Sequence, residues 1–109
     1  MSPALRAVTD SGTVGKPLTI TRKAKDLLLT GNFGVFYAGT LEAHLYDRGG
    51  EERARVTLQS VTPNTLIDLH KTIPAESNIV RVSVHLIDTN HADRGALGEA
   101  FVEGAEEER

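Results

Sequence analysis

Ile79-Val80-Arg81-Val82-Ser83-Val84-His85-Leu86-Ile87-Asp88, followed by a polar stretch and then Ala96-Leu97-Gly98-Glu99-Ala100-Phe101-Val102, decides the fold. Val80, Val82, Val84 and Leu86 fall on one face of an extended chain, with Arg81, Ser83 and His85 on the other. That period of two, built from β-branched residues, describes a half-buried strand. The polar stretch from Thr89 to Gly95 then predicts a turn, and Ala96 to Val102 a returning strand.

The same pattern recurs upstream. Leu41, Ala43 and Leu45 alternate with Glu42, His44 and Tyr46 inside an extended region from Val35 to Asp47, closed by the turn residues Asp47-Arg48-Gly49-Gly50. Arg53 to Val61 places Ala54, Val56 and Leu58 inward and Arg53, Arg55 and Thr57 outward; Thr65 to Ile73 places Ile67, Leu69 and Ile73 inward, with Asp68 and His70 opposite. Thr62-Pro63-Asn64 punctuates the two. Near the start, Asp10-Ser11-Gly12 and Gly15-Lys16-Pro17 read as turns, with Pro17 at the first position of a strand through Thr21. Leu27-Leu28-Leu29 reads as a buried strand and Thr30-Gly31-Asn32-Phe33-Gly34 as the turn after it. Seven to eight strands separated by Gly, Pro and Asn predict an all-β chain, an antiparallel β-sandwich.

The totals agree with a single domain over residues 1–109, with an arm over 1–12 and an acidic tail over 104–109. The chain has 109 residues, no cysteine and a net charge of −3, so it holds no disulfide framework, thiol nucleophile or Cys-ligated zinc. Basic residues are scattered, and the densest group, Arg22-Lys23-Ala24-Lys25, is followed at once by Asp26. This balance argues against a nucleic-acid partner. Neither a signal peptide nor an apolar run of membrane-spanning length is read, so a soluble cytoplasmic or virion-associated protein is expected, without a membrane partner.

Two resemblances follow from these segments. The strand rhythm resembles immunoglobulin-like and fibronectin-type-III-like sandwiches, without the cysteine pair and core tryptophan of true immunoglobulin domains. Gly15-Lys16-Pro17-Leu18-Thr19-Ile20-Thr21, Lys23-Ala24-Lys25-Asp26-Leu27, Val82 to Asp88 and Leu97-Gly98-Glu99-Ala100 resemble C2 domains, over under half of the chain. That likeness implies a C2-like module meeting lipid or protein through its loops. The late loop offers Asp88, Asn90, His91 and Asp93 as a ligand loop, but the segment Gly31 to Gly39 brings no carboxylate and the usual Asp-Pro-Tyr is missing. Calcium wants six or more oxygens, so at most weak binding is implied.

No catalytic constellation emerges. Thr89 is the hydroxyl nearest the Asp-rich loop, and no Gly-x-Ser-x-Gly elbow occurs. Asp10 and Pro17 exclude a phosphate loop around Gly15-Lys16. His44, His70 and His85, with Asp68, would form a histidine-dependent metal site only if their strands were neighbours; surface histidines on polar strand faces are the plainer expectation, with no metal and no cofactor. The aromatics Phe33, Phe36 and Tyr37 gather in a Gly-rich stretch, where they either plug one end of the sandwich as core, the plainer expectation, or form a contact patch; Phe33, Val35, Phe36 and Tyr37 are the segment nominated as interface. The chain thus reads as a non-enzymatic structural or adaptor subunit acting through protein–protein contacts, with a protein partner or self-assembly into a homo-oligomer. A virion decoration or scaffolding part is the analogy that the fold offers.

Overall fold

The computed structural model describes residues 9–102, which form seven antiparallel strands in two sheets, with no helix among them. The strands are β1 (Gly12–Lys23), β2 (Asp26–Val35), β3 (Gly39–Asp47), β4 (Glu52–Val61), β5 (Thr65–Pro74), β6 (Ile79–Asp88) and β7 (Asp93–Phe101). Their order is β1-β2-β5 in the three-stranded sheet and β4-β3-β6-β7 in the four-stranded one.

The inward stripes predicted from alternation supply the core. Leu41, Ala43 and Leu45 of β3, Val82, Val84 and Leu86 of β6, and Ile67, Leu69 and Ile73 of β5 are all buried, together with Leu27, Leu29 and Phe33 of β2. The sheets face each other across this layer: a Cβ on Gly98 of β7 would stand 3.0 Å from Phe33 Cε1 of β2 and 3.5 Å from Leu18 Cβ of β1. At one side the sandwich is closed, because Ile20 bridges Val102 in parallel. The predicted hairpin turn is present, with Asp47 Oδ1 accepting the N–H groups of Gly49 and Glu51.

Several local expectations are corrected. Residues 30–34 are not a turn: they continue β2, each paired with β5 from Thr30↔His70 to Gly34↔Leu66. Phe33 is wholly buried there, so the burial of one large ring outweighs the turn propensity of its Gly and Asn neighbours. Pro17 does not begin a strand; it lies within β1, where the register with β2 shifts between Val14 and Lys16 and again between Lys16 and Thr19. An edge strand accepts proline and irregular pairing because its outer N–H groups need no ladder partner. Of the arm over 1–12, only residues 9–12 lie within the described residues, as a tight turn in which the N–H groups of Thr9 and Gly12 each bond the other's carbonyl; the tail over 104–109 lies outside them.

The inward row of β4 is also only partly covered: Leu58 and Val61 are buried, Val56 is half-buried and Ala54 is exposed. The four-stranded sheet is one strand wider than its partner, so among the described residues no strand of the other sheet is left to cover the Glu52 end of β4.

Candidate functional site

Two features of this frame can bind something, one on each face of the four-stranded sheet. The first is a polar cluster on the outer face. β3 and β6 are neighbours with His44 opposite Ser83 and Glu42 opposite His85, so the two histidines sit diagonally and their rings stack, with centroids 3.9 Å apart and planes at 18°. His44 is only 2% exposed, which corrects the expectation of a surface histidine. His44 Nε2–H donates to Glu42 Oε1 at 3.0 Å. His85 Nε2 bonds Ser83 Oγ at 2.9 Å, and Ser83 Oγ lies 3.3 Å from the Tyr46 hydroxyl. From β7, Asp93 brings its carboxylate to His85 Nδ1, 3.0 Å from Oδ2.

The basic groups bordering the cluster are already engaged. Arg55 is bound by Glu52, whose carboxyl that hydrogen bond holds below its ordinary value. Arg81 pairs with Glu99 and lies 4.0 Å over the Tyr46 ring. For Asp93, burial pushes the carboxyl up, but the Gly95 N–H, the His85 hydrogen bond and the charges of His85 and His44 more than offset it, so the net shift is downward. A carboxyl depressed in the folded state stabilises the fold above its unfolded value and loses that contribution as pH falls through its folded value. The melting temperature of the wild type should therefore exceed that of Asp93→Asn at pH 7, and the gap should close below about pH 4. A gap unchanged down to pH 3 would mean that the fold does not hold the Asp93 carboxyl below its ordinary value.

The expected sites are thus redistributed. His70 and Asp68 lie in the other sheet, on β5, where Asp68 Oδ1 accepts from Asn32 Nδ2 at 2.8 Å, so the four-residue metal set does not assemble. Within the ligand loop, Asp88 Oδ1 accepts the N–H groups of Asn90 and Ala92, and its Oδ2 lies 3.8 Å from Arg94. Asn90 and His91 are exposed, and His91 has φ +65°, the left-handed turn conformation. Only Asp93 points to the cluster. Of the expected interface, Phe33 and Val35 are buried in the core because they are inward positions of β2. Phe36 is 44% exposed, and Tyr37 lies under the Arg94 guanidinium, which also reaches Asp10 at 2.7 Å. Phe36 and the half-buried Tyr37 are the members of that segment that reach the surface.

The second feature is an open groove of about 840 Å³ on the inner face of β4, lined by Leu45, Ala54, Val56, Pro74, Ala75 and Ile79, with Lys25, Arg53 and Glu76 at its rim. It lies at the Pro74 end of β5, and Pro74 is the one residue of that strand that lines it. Of the four edge strands, β1, β4 and β7 carry register shifts, whereas β5 runs ten residues against β2 without one. Bulges blunt an edge against further pairing, and β5 lacks that protection. The period-2 pattern gave no signal for this groove, since it does not say which sheet is wider.

Among the described residues no helix is long and apolar enough to cross a membrane. Comparison with family models, curated proteins and solved structures finds no match for the chain.

Proposed function

We propose that this chain is a non-enzymatic β-sandwich subunit that works through protein contacts, receiving an extended segment of another chain along β5, over the uncovered end of β4. The observation that carries the reading is the unequal width of the sheets. One added strand beside β5 would make the three-stranded sheet four-stranded, pair the edge that no strand among the described residues occupies, and cover Ala54 and Val56. Main-chain pairing would provide the affinity and the apolar groove the side-chain selectivity.

The strand order supports an immunoglobulin-like or fibronectin-type-III-like sandwich in preference to a C2-like one. Immunoglobulin constant domains place strands one, two, five and four together against three, six and seven; here only β4 has moved to the other sheet.

The donor we favour is the N-terminal segment Ala4-Leu5-Arg6-Ala7-Val8 of a second copy. Thr9 lies at the end of the sandwich where Gly12, Val35 and Thr65 align, whereas the groove lies at the Lys25–Pro74 end. A strand length of roughly 30 Å thus separates Thr9 from the groove of its own chain, which favours a neighbour's groove as the partner. Such head-to-tail contacts are heterologous and build rings or open chains, as a structural subunit of a larger assembly requires.

Light scattering over a concentration range tests this. The wild type should form oligomers, while Ala54→Arg and a chain lacking residues 1–8 should both remain monomers of unchanged stability, because Ala54 is exposed. A wild type that stays monomeric at every concentration, with β5 amides exchanging freely, sinks the self-assembly reading.

A further inference from the structure

The polar cluster on the outer face of β3, β6 and β7 has no part in strand addition, which uses β5 of the other sheet and the opposite face of β4. We propose that His44, His85 and Asp93 form a binding site for one divalent transition-metal ion of the zinc class, with Glu42 and Ser83 orienting the two imidazoles.

Three strands supply the ligands, so backbone pairing rather than a loop sets their spacing. One ligand atom from each residue lies within 4.8 Å of the others. Ligands about 2.0–2.2 Å from a tetrahedral ion stand roughly 3.4 Å apart, so the set must close by little more than 1 Å. The side chains able to make that movement are the more accessible ones: Asp93 is 43% exposed and His85 16%, while the buried His44 stays as the anchor. The His85 ring would tilt against His44 so that the two ring edges converge.

The hydrogen bonds around the rings are of the kind that supports ligating histidines. A carboxylate at His44 Nε2 fixes the proton there and leaves the lone pair on the other ring nitrogen. Ser83 holds Nε2 of His85, and the ion would take the place of the proton between His85 Nδ1 and Asp93. Two imidazoles and a carboxylate suit zinc, cobalt or nickel over calcium or magnesium, which prefer all-oxygen sets. Arg55, the nearest cation on β4, is neutralised by Glu52. A fourth position would remain for water.

The probe is Co²⁺ alone, added to the full chain carrying no histidine tag and followed by the visible absorption of tetrahedral cobalt. One Co²⁺ per chain should saturate, be displaced by Zn²⁺ and be indifferent to Ca²⁺ and Mg²⁺. Asp93→Ala and His85→Ala should each weaken binding by about tenfold or more, and Glu42→Gln, acting through His44, by about 10- to 100-fold. His70→Ala, on the other sheet, should leave binding unchanged. Asp93 is exposed enough that its variant retains the fold and carries the test if His85→Ala does not. Absence of a tetrahedral spectrum, or affinity that Asp93→Ala leaves intact, overturns the site. Because Ala54→Arg lies on the other face, it should leave Co²⁺ binding unaltered, which separates this outcome from that of the assembly reading.

Discussion

Phe33→Ala is expected to remove about 3–5 kcal/mol of folding free energy, much of what a domain of this size possesses. Phe33 is the largest wholly buried side chain, sits on the central strand of the three-stranded sheet and spans the core to β7. Its ring faces Gly98, which has no side chain to swing into the vacated space. The cavity would stay open, and cavity volume adds to the lost transfer energy. Gly98→Ala tests the same contact from the other side. Alone, its new Cβ stands 3.0 Å from the ring and overpacks the core; combined with Phe33→Ala it should cost less than in the wild type, a coupling readable from urea titrations of the four chains. A loss under about 1 kcal/mol for Phe33→Ala would show that the ring does not hold the sheets together.

Gly39→Ala should be nearly as damaging, at about 3 kcal/mol, although it adds a single methyl group. Gly39 opens β3 and pairs with Val61 on one side and Asp88 on the other. A Cβ there would lie 2.0 Å from the Ile87 carbonyl oxygen and 2.8 Å from Asp88 Cα, both backbone atoms of β6 that cannot rotate aside. Relief requires β3 to separate from β6 at the point where the Asp88 turn begins. Gly49→Ala is the comparison: its Cβ would meet only Asp47 Oδ1 at 3.5 Å, and its melting temperature should change little. Equal melting temperatures for the two variants would contradict the close approach of β3 and β6.

These two glycine positions show where sequence reading is strong and where it stops. Asp47-Arg48-Gly49-Gly50 is recognisable as a turn because its residues act on their own backbone: Asp47 caps Gly49 and Glu51, and Gly50 takes φ +87°. Gly39 has no local signature; its need for hydrogen in place of a side chain comes from its register partner Asp88 and the preceding Ile87 on a strand distant in sequence, and only the pairing reveals it.

The candidate site divides in the same way. Period-2 alternation placed Glu42 and His44 on one face of their strand and Ser83 and His85 on one face of theirs, because successive side chains of any strand point to opposite sides. It determined the all-β class, the inward stripes of β3, β5 and β6, and the turns at 47–50 and 62–64. Strand pairing decided the rest. Placing β3 between β4 and β6 stacked His44 on His85, drew in Asp93 from a loop that seemed a separate ligand set, and sent His70 and Asp68 to the other sheet. The same choice left β4 overhanging and Ala54 uncovered. Alternation is a property of a strand's own backbone, written residue by residue. Which strands become neighbours is settled by closure of the whole core, to which every strand contributes an apolar face of nearly the same kind.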